Sequence, residues 1–305
     1  MKEVTVKALG DQFNVIYAHA GPEGGDVIIT IHGSPASHKG FQNMAEPLVA
    51  AGYQVIVPNL PGMGWTQLPP SGCYKFSQFE KAQVIQGFAE ALKIEKVKML
   101  CGHSLGCHVI YNATRLPSFF ARCESVCLIS SIGLRPHRLA LPWFFKKRFF
   151  ATMYKMCALP VLGPLLVNIA SPIMVKFGLK GRTKLAQVNF FQEGAVFNWE
   201  EGTAGLDELC RQKTPALFFF GDKDALVSFD VAQELVARFG ITQDNTAWYR
   251  GEKKDRDDFK ESSLQRAVFV EGGDHSIFTN RVDVITPEQL QFLKSLDSQL
   301  QEDEN

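Results

Sequence analysis

A serine with a glycine two positions away on either side is the clearest chemical motif of this chain. The motif is Gly102-His103-Ser104-Leu105-Gly106, and it lies between an apolar run at 97–101 and a stretch typical of a helix. A tight turn from strand to helix strains its central residue and leaves little room for side chains at the glycine positions. A strand, a G-x-S-x-G turn and a helix in this order expose a serine hydroxyl for nucleophilic attack. We therefore expect Ser104 to be a nucleophile.

Two further loops carry residue types that could activate this serine. Attack by a serine needs a base to accept its proton and a carboxylate to orient that base. Asp224 follows the apolar run 216–220, and His275 follows the run 267–270. Asp222 lies in the same loop as Asp224 and is a second candidate for the acid. Because the carboxyl ends of parallel strands meet at one edge of a sheet, we expect the serine, the histidine and one acid to lie together.

A third loop has the composition needed beside such a nucleophile. It consists of His32-Gly33-Ser34-Pro35 and follows a β-branched run typical of a buried strand. The oxyanion that forms during attack needs two backbone N–H groups directed at it. We expect one from Leu105, directly after the nucleophile, and the other from Ser34. Gly33 permits the close backbone approach, and Pro35 would stiffen the loop.

The other histidines and the cysteines do not indicate separate chemistry. We interpret His32 and His103 as hydrogen-bonded structural residues rather than as acids or bases. The seven cysteines include no C-x-x-C pair, which favours reduced thiols over disulfides or a zinc site. We expect neither a metal nor a cofactor.

Alternating apolar runs and amphipathic stretches predict the elements that position these loops. Two antiparallel strands are predicted at 4–9 and 14–20, followed by strands at 26–31, 54–58, 96–101, 125–130, 216–220 and 267–270. Single helices between strands imply an α/β fold with a mostly parallel sheet wound on both faces. The pattern stops near Leu134 and resumes at Ala216. We predict a core of residues 1–133 and 214–305, with a helical cap inserted at 134–213. The charged stretch 251–262 is predicted as a loop, and a closing helix is predicted to begin at Thr286.

The order of these motifs resembles the α/β-hydrolase fold superfamily, in particular its esterase- and lipase-like serine hydrolases. That family has a strand ending in H-G, a G-x-S-x-G elbow, an inserted cap, a G-x-x-D strand end and a late G-x-x-H. Here they correspond to His32-Gly33, the elbow at Ser104, Gly221-Asp222-Lys223-Asp224 and Gly272-Gly273-Asp274-His275. The resemblance covers nearly the whole chain. It selects Asp224 over Asp222 as the acid, and it implies a Ser-His-Asp triad with an acyl-enzyme.

One loop resembles another branch of the same superfamily. The sequence His32-Gly33-Ser34-Pro35 matches the H-G-x-P motif of epoxide hydrolases, which use an aspartate nucleophile and two cap tyrosines. Here Ser104 stands at the nucleophile position, and Tyr154 is the single tyrosine of the predicted cap. Epoxide hydrolysis and haloalkane dehalogenation are therefore disfavoured.

Charge is unevenly distributed although the formal net charge is zero. Ten Lys or Arg residues and no Asp or Glu lie between Ser125 and Gln192, and the run 143–150 is both aromatic and basic. The run 156–175 is uncharged, but its prolines make a membrane-spanning helix an unfavourable interpretation. We expect a small apolar ester or a lipid as substrate, with peripheral contact between the basic cap and an anionic membrane as a further hypothesis. No nucleic-acid-binding motif is found. The N-terminus has no apolar signal segment, so a cytoplasmic protein, peripheral at a membrane if the cap docks, is expected.

Alternatives of two kinds stay open from the sequence. The same residues are also compatible with hydrolysis of thioesters, amides or carbon–carbon bonds. A non-catalytic binding or signalling protein on the same fold is the second kind, because the fold alone does not determine function.

Overall fold

One twisted sheet organises the chain. The computed structural model describes residues 1–135, 142–176, 181–251, 253–255 and 263–303. Its strands are β1 (Lys2–Ala8), β2 (Asp11–Ala20), β3 (Val27–Ile31), β4 (Gln54–Pro58), β5 (Met99–His103), β6 (Val126–Ile129), β7 (Ala216–Gly221), β8 (Thr246–Arg250), β9 (Lys253–Asp255) and β10 (Gln265–Val270). Its helices are α1 (Gln42–Ala50), α2 (Gln78–Ala91), α3 (Leu105–Ala113), α4 (Pro117–Phe120), α5 (Trp143–Cys157), α6 (Leu162–Lys176), α7 (Lys184–Val196), α8 (Trp199–Arg211), α9 (Phe229–Arg238), α10 (Ile277–Asn280) and α11 (Val282–Asp303).

The strand order is β1-β2-β4-β3-β5-β6-β7-β10-β8-β9. The strands from β4 to β8 in this order pair in parallel, whereas β1, β2 and β9 are antiparallel to their neighbours. The mostly parallel α/β sheet predicted from the sequence is confirmed. Strand β8 was not predicted, and residues 253–255 of the predicted loop 251–262 form β9. Residues 252 and 256–262 of that loop lie outside the described residues.

Helices cover both faces of the sheet because successive side chains of each buried strand point to opposite faces. In β3, Ile29 and Ile31 join the apolar cluster that also contains side chains of α2, α3 and α9. Ile28 joins the cluster on the other face, which contains side chains of α1 and α11. Burial of these two clusters is the main favourable contribution to folding.

The helix start predicted at Thr286 is wrong. Helix α11 begins at Val282 and includes Pro287. A proline inside a helix removes one backbone hydrogen bond, because it has no N–H to donate. Val284 and Ile285, upstream of the proline, are fully buried in the core. Both side chains join the same apolar cluster as Phe292 and Leu293 of this helix, so packing on the core extends the helix to the N-terminal side of the proline.

Four helices, α5 to α8, lie between β6 and β7 in the chain, where the sequence predicts a cap. Helices α5, α6 and α7 contact one another, whereas α8 packs on α3. Leu206 and Leu209 of α8 are fully buried in the same cluster as the central strands. The last helix of the insertion thus shares the core, and the boundary at residue 213 stays a prediction. Among the described residues, no helix combines the length and apolar character that crossing a membrane requires.

Candidate active site

Ser104 lies in a strained turn between β5 and α3. Its backbone has φ 54° and ψ −117°, a conformation that side-chain-bearing residues rarely adopt. The turn leaves no space on either side of the serine. A Cβ at Gly106 would lie 2.2 Å from the carbonyl oxygen of Ile31, and one at Gly102 would lie 2.8 Å from the nitrogen of Cys107. Both glycines are therefore sterically required.

The loop after β3 approaches this turn closely because β3 pairs with β5. A Cβ on Gly33 would lie 3.0 Å from the Cβ of Ser104. The next residue, Ser34, precedes a cis peptide bond to Pro35. Its hydroxyl is buried and has no hydrogen-bond partner among the described residues. The loop and the first turn of α3, which begins at Leu105, thus flank Ser104.

His32 connects the loop after β3 to the loop after β4. Its Nε2 accepts a hydrogen bond from the N–H of Leu60 at 3.0 Å, and its Nδ1 donates to the carbonyl of Gly33 at 2.7 Å. Complete burial lowers the pKa of His32 to about 4. The ring is therefore neutral near pH 7, which agrees with the structural role predicted for it.

Asp224 and His275 are hydrogen-bonded to each other. The Nδ1 atom of His275 lies 2.7 Å from Oδ2 of Asp224, whose side chain is 2% exposed against 17% for the histidine. The other carboxylate oxygen of Asp224 accepts from the N–H groups of Leu226 at 2.7 Å and Val227 at 2.9 Å. The acid is thus held by three donors.

Two glycines bring the loops of this pair together. Strand β7 precedes Asp224, strand β10 precedes His275, and the two strands are neighbours in the sheet. A Cβ on Gly221 would lie 2.2 Å from the carbonyl oxygen of Gly273. The glycine of the G-x-x-D pattern therefore has a steric reason: Gly221 and Gly273 meet where neither loop has a side chain.

The geometry separates Asp224 from the other nearby acids. Oδ1 of Asp222 accepts from the N–H of Gly272 at 2.6 Å, and Oδ1 of Asp274 accepts from the N–H of Ser276 at 2.8 Å. Both carboxylates stabilise turns. Among the described residues, only Asp224 is hydrogen-bonded to the ring of His275.

His103 makes a contact with His275 that the sequence did not reveal. Its Nε2 donates to the backbone carbonyl of His275 at 2.9 Å, and the two ring centroids are 4.9 Å apart. Burial, followed by the nearby charge of His275, lowers the pKa of His103 well below its ordinary value. The residue before Ser104 is therefore a neutral link to the loop of the histidine. A histidine inside the G-x-S-x-G motif was its only sequence signal.

The inserted helices reach this region through α7. The side-chain amide of Asn189 donates to the carbonyl of Gly62 at 2.7 Å. Gly62 is two residues after Leu60, whose N–H is bound by His32. A helix of the predicted cap is thus connected, through one loop, to the loop beside Ser104. Within the described part of the chain, no group of three or more His, Cys, Asp or Glu side chains is arranged to hold a metal ion.

Comparison with known proteins agrees with this architecture. The family model described as "Alpha/beta hydrolase of unknown function (DUF1057)" matches residues 2–288. The chain therefore has the α/β-hydrolase fold, and it belongs to this family.

Individual relatives are similar over shorter stretches. An uncharacterized hydrolase of Saccharomyces cerevisiae is 38% identical over 89 residues, which are 29% of this chain and 30% of the relative. A 2-hydroxy-6-oxononadienedioate/2-hydroxy-6-oxononatrienedioate hydrolase of Paraburkholderia xenovorans is 34% identical over 110 residues, 35% of this chain and 37% of the relative. The chain thus spans about a third of the length of these curated relatives. Among solved structures, a thermophilic esterase from Thermogutta terrifontis superposes with a TM-score of 0.66 at 16% identity, covering 97% of this chain and 99% of the esterase.

Proposed function

We propose that this protein is a serine hydrolase that cleaves carboxylic esters with an apolar acyl or alcohol part, including lipid esters. The observation that carries the proposal is the 2.7 Å hydrogen bond between His275 Nδ1 and Asp224 Oδ2, made by loops at the same sheet edge as Ser104. A buried carboxylate that orients a histidine, on loops at the sheet edge that carries a strained serine, is the arrangement expected of a triad. Membership of the α/β-hydrolase family supports the same interpretation.

Attack begins at the hydroxyl of Ser104. Its oxygen bonds to the ester carbonyl carbon while Nε2 of His275 accepts its proton. The carbonyl oxygen becomes an oxyanion, which the N–H groups of Leu105 and Ser34 stabilise. The bond to the alcohol oxygen then breaks, and His275 returns the proton to the leaving alcohol. The product of this half-reaction is an acyl group on Ser104.

Water completes the reaction through the same groups. His275 accepts a proton from a water molecule whose oxygen attacks the acyl carbon. The bond between that carbon and the Ser104 oxygen then breaks, and His275 returns the proton to Ser104 as the carboxylic acid leaves. Asp224 keeps the proton on Nδ1, so that Nε2 is free to accept, and its charge stabilises the imidazolium that forms in each half-reaction. Two backbone N–H groups at its second oxygen prevent the carboxylate from rotating away.

A fluorophosphonate probe tests the proposal, because it labels only an activated serine. We expect covalent labelling of the native protein, loss of labelling in Ser104→Ala and His275→Ala, and normal labelling in Ser118→Ala, which removes an exposed hydroxyl on α4. Hydrolysis of p-nitrophenyl butyrate should follow the same pattern. A folded native protein that is neither labelled nor active would instead support a non-catalytic binding protein.

A second candidate is hydrolysis of a carbon–carbon bond beside a ketone. It is favoured by the 34% identity to the Paraburkholderia hydrolase, whose name gives an oxo-dienedioate as substrate. The two candidates are separated by comparing kcat/KM for p-nitrophenyl esters and for 2-hydroxy-6-oxo-dienedioates, whose absorbance falls on cleavage. A higher value for the dienedioate would replace the ester proposal and keep the same serine.

A further inference from the structure

Exposed apolar side chains are concentrated in one part of the molecule. Thirteen large apolar side chains are exposed in the described part of the chain, and eleven of them lie between Phe144 and Leu185. Single exposed apolar residues are common on soluble proteins, whereas a contiguous set marks an interaction surface. This segment contains α5, α6 and the start of α7.

Helix α6 carries the most regular part of this surface. Four of its exposed residues follow one another at intervals of three, four and four, so they form one stripe along the helix. Two more precede the helix in the turn from α5, where Val161 is 90% exposed. We name these six residues the cap stripe: Leu159, Val161, Leu162, Leu165, Ile169 and Ile173.

The opposite side of α6 is packed against the protein. Gly163 and Met174 are buried, and the helix contacts α5 and α7. The apolar residues on that side therefore pack against the rest of the insertion. The residues of the cap stripe are exposed instead.

The charges of the segment that carries the cap stripe are all of one sign. Lys146, Lys147 and Arg148 are exposed on α5 between the exposed rings of Phe145 and Phe149. Lys176 ends α6. No Asp or Glu occurs between Ser125 and Gln192. An apolar surface on a segment that carries cations and no carboxylates is complementary to a partner with an apolar interior and anionic groups at its surface.

We propose that the cap stripe docks on an anionic lipid bilayer, with α6 lying in the plane of the membrane surface. Helix α6 has 15 residues and is about 22 Å long, shorter than the roughly 30 Å hydrocarbon core, so it lies along the interface instead of crossing it. Val161 and Leu165 enter the acyl boundary, while the lysines of α5 bind lipid headgroups. A second copy of this chain fits poorly, because a two-fold contact would bring the same cations together.

Docking at this surface gives the insertion a function in substrate delivery. Helix α7, which contacts α6, also contacts the loop after β4, and that loop is hydrogen-bonded to His32. A lipid ester leaving the bilayer would therefore meet the insertion before it meets Ser104. This consequence rests on the proposed ester hydrolysis, whereas the docking itself does not.

Vesicle co-sedimentation tests the docking with the full chain. The native protein should bind phosphatidylcholine vesicles that contain phosphatidylserine at least about tenfold more strongly than pure phosphatidylcholine vesicles. Leu165→Ser/Ile169→Ser should lose binding to both. Lys146→Glu/Lys147→Glu should lose the preference for phosphatidylserine. The matched control Lys7→Glu/Lys294→Glu makes the same charge change on β1 and α11 and should bind as the native protein does.

The outcomes separate docking from catalysis. All four proteins should react equally with the fluorophosphonate probe, which needs no membrane, and this also shows that the variants fold. Absence of binding to anionic vesicles, or equal binding by native protein and both cap variants, would overturn the proposal. The native protein could instead bind no vesicles and run as a dimer in gel filtration, with Leu165→Ser/Ile169→Ser running as a monomer. That result would assign the surface to a second copy of the chain. If none of the proteins is labelled but vesicle binding is as expected, only the proposed hydrolase activity is overturned.

Discussion

Lys81 on α2 and Glu193 on α7 form an ion pair with almost no access to solvent. Nζ of Lys81 lies 2.8 Å from Oε1 of Glu193, and neither side chain is more than 1% exposed. Nζ also donates to the carbonyl of Phe76. The second carboxylate oxygen, Oε2, has no hydrogen-bond partner among the described residues. One helix of the sheet layer and one of the insertion are thus joined by buried charges.

Removing one member of this pair should destabilise the protein strongly. Lys81→Met leaves the carboxylate of Glu193 buried without a counter-charge, and we expect it to lower the free energy of unfolding by about 3–5 kcal/mol. Lys81→Met/Glu193→Leu removes both charges and should recover most of the loss. Urea unfolding of the native protein and the variants measures both values. Equal destabilisation by the single and double changes would show that packing, rather than charge, dominates.

Neutralising Asp224 should affect catalysis far more than neutralising Asp222. Asp224→Asn cannot hold the required tautomer of His275, so kcat should fall by about 10⁴-fold with little change in KM. Asp222→Asn retains an oxygen that accepts from Gly272, so its kcat should stay within a few-fold of the native value. Steady-state kinetics on p-nitrophenyl butyrate measures both. A comparable loss in Asp222→Asn would show that the assignment of the acid is wrong.

His103 should position His275, the proposed base, without exchanging protons itself. His103→Phe removes the hydrogen bond to the carbonyl of His275, and we expect kcat to fall by up to about 100-fold with KM nearly unchanged. His103→Gln keeps a donor and should recover part of the loss. Because His103 is neutral near pH 7, the acid limb of the kcat profile should not shift in either variant. A shifted acid limb would mean that its proton takes part.

Buried His108 should make the fold sensitive to mild acid. Its Nε2 donates to the carbonyl of Ile132 at 2.7 Å, and burial lowers its pKa to about 4. An unfolded histidine has a pKa of 6.5, so between pH 6.5 and about pH 4 the unfolded chain binds more protons at this residue than the folded one does. Stability therefore falls as the pH is lowered through this window. This histidine should lower the free energy of unfolding at pH 5 by about 2 kcal/mol relative to pH 7.

The variant His108→Gln tests this pH dependence, since it keeps a donor for Ile132 but cannot take up a proton. Its free energy of unfolding should fall less between pH 7 and pH 5 than that of the native protein. Denaturant unfolding at the two pH values provides the comparison. The same decrease in both proteins would assign the acid sensitivity to other groups.

The sequence predicts the central sheet and its loops well because both depend on local patterns. A buried parallel strand is a continuous apolar run, and the turn at Ser104 needs glycine on both sides. Asp224 could be chosen over Asp222 only through the resemblance to a family, since both follow the same strand. The structure adds the physical difference: one carboxylate contacts His275 and the other contacts a turn.

Contacts between distant parts of the chain were not predictable in the same way. Lys81 and Glu193 are separated by more than a hundred positions, and neither has a local partner that signals burial. The periodicity of α6 is also weak as a signal, because this helix has apolar residues on its packed side and on the cap stripe. A helix that is apolar on two sides loses the contrast from which helical faces are inferred.

The backbone at Ser104 has a consequence for how this protein responds to selection. A residue with a side chain at φ 54° and ψ −117° is destabilised by about 1–3 kcal/mol, and glycine would avoid that strain. A screen for heat resistance alone should therefore favour Ser104→Gly, a variant that survives heating better and has lost its nucleophile. Directed evolution of this fold toward thermostability needs a simultaneous screen for turnover, because the position of the proposed nucleophile is also one at which the native residue weakens the fold.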